Sequence, residues 1–206
     1  YKKGKILITL AGEKVGSVNG LAVLDTGYYS FGRPIRITCV AYKGTGRIVD
    51  IQKESNLSGK IHEKSISILR GLLSSLLNAY ENIPVDFHIS FEQTYGIVDG
   101  DSASIAEIIA LLSALSKYKV KQNIAVTGSV NQFGEVQAIG GVSEKIEGFY
   151  KVCKIMDTIE NKGVLIPTSN RDELIILPEV EEAIINNKFH IYTCLLYTSP
   201  SPRDRG

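Results

Sequence analysis

Apolar residues in this chain change their spacing from one segment to the next, and that switching restricts it to a mixed architecture of strands and helices. Arg36 to Ala41 (RITCVA) alternates and is rich in β-branched residues. Gly44-Thr45-Gly46 marks a turn, and Arg47 to Ile51 (RIVDI) alternates again. Two such runs about a glycine turn predict a hairpin. From Ser58 to Tyr80 the spacing becomes helical, with Ile61, Ile66, Ile68, Leu69, Leu72, Leu73, Leu76 and Leu77 in one broad stripe. Val85 to Phe91 returns to alternation and predicts a strand. A loop over Thr94 to Asp101 then leads into a helix of about Ser102 to Ser116. Short strands follow at Asn123 to Thr127 and Glu135 to Ala138, and a helix from Gly140-Gly141 to about Lys154. A strand over Gly163 to Ile166, a helix over Pro178 to Asn186 with proline in its first turn, and a strand over Phe189 to Tyr192 complete the pattern. Strands first, then alternating helices and strands, predict one α/β (α+β) domain.

The two ends lie outside that pattern. Residues 1–15 hold four lysines and read as a linker into a domain that spans 16–193. Residues 196–206 (LYTSPSPRDRG) hold two of the six prolines and no apolar period. The 194–206 tail reads as a sequence-assembly scar or a disordered terminus and is set aside. The chain opens at Tyr1 rather than Met, which reads as part of a longer protein.

Charge and cysteine usage remove several functions. Lys plus Arg number 23 and Asp plus Glu 22, for a net charge of +1, so no bulk charge draws the chain to nucleic acid or an anionic membrane. Three cysteines (Cys39, Cys153 and Cys194) are too few and too scattered for a disulfide framework or a metal site. They fit a reducing cytosol, and a cytoplasmic location is expected. The longest apolar stretch, Ile105 to Leu115, is interrupted by Glu107 and Ser113 and is too short to span a membrane. There is no G-x-x-x-x-G-K-[ST] phosphate loop. His62-Glu63 is followed by Ile66 where a zinc motif needs a second histidine. His62, His88 and His190 are each read as structural or surface residues, and no metal is expected. Gly16, Gly20 and Gly27 lack dinucleotide-binding spacing and are read as turn glycines.

Two segments can carry chemistry. In Asp99-Gly100-Asp101-Ser102-Ala103-Ser104 a serine stands at a helix start, beside backbone N–H groups that a helix leaves unpaired. Such donors can stabilise an oxyanion when the hydroxyl attacks a carbonyl. Ala103, Ala106, Ala110 and Ala114 give this helix a small face that can approach a sheet closely. The competing reading is capping, with Ser104 and Glu107 as a capping box. In the helix after Gly140-Gly141, Val142, Ile146 and Phe149 form the apolar stripe, and Lys145 falls on it. A lysine there either snorkels to water or is buried. A buried amine loses the hydration of its charged form, so its pKa falls and it can serve as a general base near neutrality. A serine activated by such a lysine is an established variant of nucleophilic catalysis.

At these residues the chain resembles the proteolytic domain of the Lon family of ATP-dependent serine proteases, closest to the B-type and Lon-related members. The resemblance runs from about Gly16 to Tyr192. It is carried by GLAVLDTG (20–27), FGRPIRIT (31–38), SGKIHEKS (58–65), FEQTYGIVDGDSAS (91–104), AVTGSVNQFGEVQAIGGVSEKIEGF (125–149) and KFHIY (188–192). By position, Ser102 matches the family nucleophile and Lys145 its general base, 43 residues apart. Thr127 matches a threonine near that lysine, Asp99 an acidic residue just before the nucleophile, and Asp25 an acidic residue near the domain start. Each of the last three also has a structural reading: a strand end, a helix cap and an Asx turn with Gly27. The N–H groups of Asp101 and Ser102 are the expected oxyanion donors.

The resemblance implies a Lon-type fold with a mixed sheet and packed helices, ATP-coupled cleavage of unfolded or damaged proteins, and a homo-hexamer. It places ATP and Mg in an upstream ATPase module and leaves this chain without a cofactor of its own. The family pattern continues past KFHIY into a final helix, where this chain runs into its tail. A catalytically silent Lon-fold scaffold or assembly domain is the alternative expectation; the retained Ser102 and Lys145 argue against it.

Overall fold

The computed structural model describes residues 7–25, 27–77, 83–94 and 96–195. In it, Leu10 packs among buried apolar side chains, and strand β1 (Glu13–Val15) leads through Gly16 into β2 (Ser17–Asp25). Within the segment read as a linker, Leu10 is buried and β1 pairs with a later strand (Glu13↔Lys121); residues 1–6 lie outside those described. The β2 strand turns back into the 14-residue β3 (Ser30–Lys43), and the two pair antiparallel from Ser17↔Thr38 to Asp25↔Ser30. Gly20, read as a turn residue, lies inside β2 opposite Ile35.

Next come β4 (Ile48–Asp50), the short helix α1 (Ile51–Glu54), α2 (Lys60–Leu76) and β5 (Val85–Phe91). The expected hairpin of 36–41 with 47–51 does not form. β5 lies between the two runs, antiparallel to β3 (Cys39↔Ile89) and parallel to β4 (Ile48↔Phe87). The reason lies in the turn. The Asp86 carboxylate accepts the N–H groups of Thr45 and Arg47 at 2.7 and 2.9 Å and the Arg47 guanidinium at 3.0 Å. The turn closes onto β5 rather than onto itself. The helix expected to reach Tyr80 ends at Leu76, with residues 78–80 outside those described.

The remainder runs α3 (Ser104–Ser116), β6 (Lys119–Lys121), β7 (Ile124–Val126), β8 (Ser129–Val130), β9 (Val136–Gln137), α4 (Val142–Met156), β10 (Lys162–Pro167), a 3-10 turn (Thr168–Glu173), α5 (Pro178–Ile185) and β11 (Phe189–Cys194). The main sheet has the order β11-β10-β7-β2-β3-β5-β4 and is mixed, with β1–β6 and β8–β9 as separate pairs. The 196–206 tail lies outside the described residues.

Alternation along the strands sends side chains to two cores. Val126 packs with Ile66, Leu69, Leu72 and Leu73 of α2 and with Ile105, Ile108 and Leu111 of α3. Its neighbour Ala125 packs with Ile146 and Phe149 of α4, with Val180 of α5 and with Phe189. Helices therefore cover both faces. Each fully buried Leu, Ile or Phe contributes about 1.5–3 kcal/mol by leaving water. Two close approaches set the helix depths. The alanine face of α3 lets Ala106, Ala110 and Ala114 lie fully buried. On the other face, α4 meets β3 backbone to backbone, since a Cβ on Gly148 would fall 2.0 Å from the Gly32 carbonyl oxygen. That contact fixes the height of the first turn of α4 above the sheet.

Candidate active site

Leaving β5, the chain makes an isolated parallel bridge between Val98 and Ser58. Asp99 then turns its carboxylate to α2, where Oδ1 accepts the N–H groups of Ile61 and His62 at 3.0 and 3.2 Å. It caps a helix, but a different one from the helix it precedes in sequence. Hydrogen bonds from the backbone N–H groups of Gly100, His62 and Ile61 outweigh desolvation and hold this carboxyl below the usual carboxylate range.

Asp101, Ser102 and Ala103 form the turn into α3, whose N-cap is Ala103. The 127–130 segment laces this turn in place. The Ser102 carbonyl accepts the Gly128 N–H at 2.8 Å and the Thr127 hydroxyl at 3.2 Å. Ile105 N–H returns to the Gly128 carbonyl at 3.2 Å, and Ser129 donates to the Asp101 carboxylate at 2.9 Å. Gly128 has φ +149°, and a Cβ there would lie 2.4 Å from Ile105 Cδ1. Only glycine lets the two segments come this close.

The expected capping box is absent. Ser104 Oγ donates to the Asp101 carbonyl at 2.8 Å and accepts the Val130 N–H at 3.0 Å, so it bridges two backbones instead of capping. Glu107 is 0% exposed and faces the core, where His62 Nδ1 lies 3.5 Å from its Oε1.

Lys145 lies in the first turn of α4, with 3% of its surface exposed. It is buried, not snorkelling. Its Nζ donates to Ser102 Oγ at 3.0 Å. Burial pulls its pKa down from 10.5 to about 8, while the Asp101 and Glu144 charges work the other way. At neutral pH a minority of molecules then holds a neutral amine within reach of the hydroxyl. Such an amine can accept the hydroxyl proton as oxygen attacks an electrophile. Beside Ser102 opens a narrow apolar cavity of about 50 Å³, lined by Leu21, Ala22, Ile35, Phe91 and Val98 among others.

The other candidates separate. Thr127 is fully buried and touches Ser102 through its hydroxyl. Asp101 is exposed, with its carboxylate against Ser129. Asp25 ends β2 opposite Ser30, and the Asx turn proposed for it runs through position 26, outside the described residues. His88 meets the Tyr42 hydroxyl at 2.7 Å. His62 is the residue whose weight the sequence reading missed. It is 1% exposed, lies 3.0 Å from Asp50 Oδ2 and lines the cavity beside Ser102. Its signal was its spacing with Ser65, Ile66 and Leu69 on the buried face of α2. Among the described residues, no three His, Cys, Asp or Glu side chains are grouped to hold a metal ion, and no helix is long and apolar enough to cross a membrane.

Comparison with known proteins agrees with this architecture. The sequence model of the Lon protease (S16) C-terminal proteolytic domain matches residues 5–194. An Escherichia coli K12 protein named "Putative Lon protease homolog" is 43% identical over 190 residues, which cover 91% of this chain and 32% of that protein. The "Archaeal Lon protease" of Methanocaldococcus jannaschii is 35% identical over 197 residues, covering 86% of this chain and 29% of that protein. The chain thus spans about a third of the length of these relatives.

Proposed function

This chain belongs to the Lon protease C-terminal proteolytic domain family, and from that premise we propose that it is a serine endopeptidase domain working through Ser102 and Lys145. The observation that carries the reading is the 3.0 Å contact between Lys145 Nζ and Ser102 Oγ, with the amine buried. Neutral Lys145 takes the hydroxyl proton as Ser102 attacks a peptide carbonyl. The Asp101 and Ser102 N–H groups hold the oxyanion. Lys145 returns the proton to the leaving amine, and the acyl group stays on Ser102. Water, deprotonated by the same amine, then releases it. Thr127 and Gly128 keep the Ser102 carbonyl fixed during these steps.

The wider setting follows the same premise. Substrates are unfolded or damaged proteins, and the working particle is a cytoplasmic homo-hexamer. ATP with Mg acts in an ATPase module outside these residues, as the family resemblance implies. Peptide cleavage by Ser102→Ala and by Lys145→Ala tests the dyad. Each variant stays folded by circular dichroism and loses at least about a thousandfold in kcat, as removal of a member of a nucleophile–base unit does. Wild-type-like cleavage by either variant rejects the mechanism.

A further inference from the structure

The dyad leaves one cluster of buried ionisable groups without a task. His62, on α2, has Nε2 3.0 Å from Asp50 Oδ2 and Nδ1 3.5 Å from Glu107 Oε1. All three side chains are 3% exposed or less, and the ring stands edge-on to Phe91 at 5.2 Å. Asp50 is itself fixed, since its Oδ1 accepts the Gln52 N–H at 3.0 Å. The His62 backbone N–H donates to Asp99 Oδ1 at 3.2 Å.

These contacts fall on both sides of Ser102. Asp99 stands three residues before it and Glu107 five residues after it. One residue of α2 therefore grips the incoming strand of the nucleophile turn through its main chain and the outgoing helix through its ring. We propose that His62 is a positioning residue for Ser102, tying the Asp99 side of the turn and the Glu107 side to one anchor on α2. The proposal rests on the dyad reading given above.

The chemistry of the cluster favours this role over plain packing. An apolar trio of similar volume would fill the space without burying charge, and buried ion pairs of this kind are often no more stable than such a replacement. What the apolar trio lacks is an electrostatic link between α2 and α3. The link does not require one protonation state. Nε2 faces the Asp50 carboxylate at 3.0 Å, and Nδ1 faces Glu107 at 3.5 Å whether that carboxyl is ionised or neutral. Both forms are accessible near neutrality. Burial, assisted by the Asp50 charge and opposed by that of His62, pushes Glu107 up to about 7. His62 is raised because its Asp50 hydrogen bond and the Glu107, Asp50 and Asp99 charges overcome its own desolvation.

Substituting His62 itself would strand two buried carboxyls, so the test is placed on Glu107. Ser102 trapping by a fluorophosphonate and peptide kcat and KM are measured in the wild-type chain, in Glu107→Leu and in Glu107→Gln. Glu107→Leu keeps a melting midpoint at or above that of wild type, yet trapping and kcat fall at least about tenfold with KM within about twofold. That is the scale on which a small displacement of a reacting group acts. Glu107→Gln, whose amide still offers the imidazole a polar partner at this position, restores trapping to within about threefold of wild type. Wild-type trapping in Glu107→Leu overturns the proposal, and so does an equal loss in both variants. A check independent of variant folding is the 15N spectrum of the His62 ring in wild type, which shifts when Ser102 is phosphonylated; an unchanged ring spectrum also overturns the proposal. If wild-type Ser102 is not trapped at all, the dyad reading has failed instead.

Discussion

Lys145→Met separates what the buried amine does for chemistry from what it costs the fold. Folded Lys145 has a pKa of about 8 against an ordinary 10.5. At about 1.4 kcal/mol for each tenfold change in proton affinity, holding the amine in its site costs roughly 3 kcal/mol wherever both states are protonated. Lys145 is 3% exposed, so solvent screening removes little of this. Between pH 8 and 10.5 the unfolded chain binds more protons than the folded one, so stability rises with pH as the cost fades. Methionine keeps the length of the side chain and loses the hydrogen bond to Ser102, worth about 1 kcal/mol. The variant is therefore more stable than wild type by about 2 kcal/mol at pH 7. That advantage shrinks by about 1.4 kcal/mol at pH 9. Urea titrations of both proteins at the two pH values measure the gap, and titration of other groups largely cancels in the difference. A gap that is the same at pH 7 and pH 9, or a variant less stable at pH 7, refutes the reasoning.

Three further outcomes follow from the same geometry. Gly148→Ala drives a methyl group into the Gly32 carbonyl, so it destabilises the fold by about 1–3 kcal/mol in a denaturant titration. It also lowers kcat by lifting Lys145 off Ser102; an unchanged melting midpoint would show that α4 and β3 are not in backbone contact. Thr127→Val removes the hydroxyl from the Ser102 carbonyl and costs about 1 kcal/mol of stability together with a fall in kcat, leaving KM nearly unchanged. Equal kcat in this variant would show that Gly128 holds the carbonyl alone. For wild type, kcat/KM rises about tenfold per pH unit below pH 8 and levels above it, because the free protein must lose the Lys145 proton before attack. A profile flat from pH 6 to 9 contradicts that assignment.

Much of the fold could be read where periodicity is local. Val85–Phe91 is a strand with the bounds that its alternation predicts, and α4 and α5 fall within two residues of their apolar stripes. Strand β2 escaped because SVNGLAVLD does not alternate: Val18 packs in one core and Leu21 in the other, with Asn19 and Gly20 between them. The hairpin expected over 36–51 does not form because β5, the partner of both runs, lies some 40 to 50 residues on, and Asp86 steers the turn towards it. In the β8–β9 pair, β9 falls within the strand that Glu135–Ala138 predicts, whereas the two residues of β8 are too few to show alternation.

Within the site, the place of Lys145 on the stripe of Val142, Ile146 and Phe149 leaves snorkelling and burial both open, and the structure buries it. The Ser104 and Glu107 spacing misled, because the same two residue types serve a capping box or, as here, a backbone bridge and a core carboxyl. The sequence reads His62 as a structural or surface histidine. Its two side-chain partners, Asp50 and Glu107, come from distant parts of the chain, so nothing near it in sequence announces the cluster.

The central claim is that a buried, partly neutral Lys145 makes Ser102 the nucleophile. Its most direct test is mass-spectrometric mapping of a serine-directed phosphonate adduct on the wild-type chain and on Lys145→Ala. The account predicts one adduct, on Ser102, that is lost in the lysine variant. An adduct on another residue, or equal labelling of Ser102 without the lysine, would contradict it.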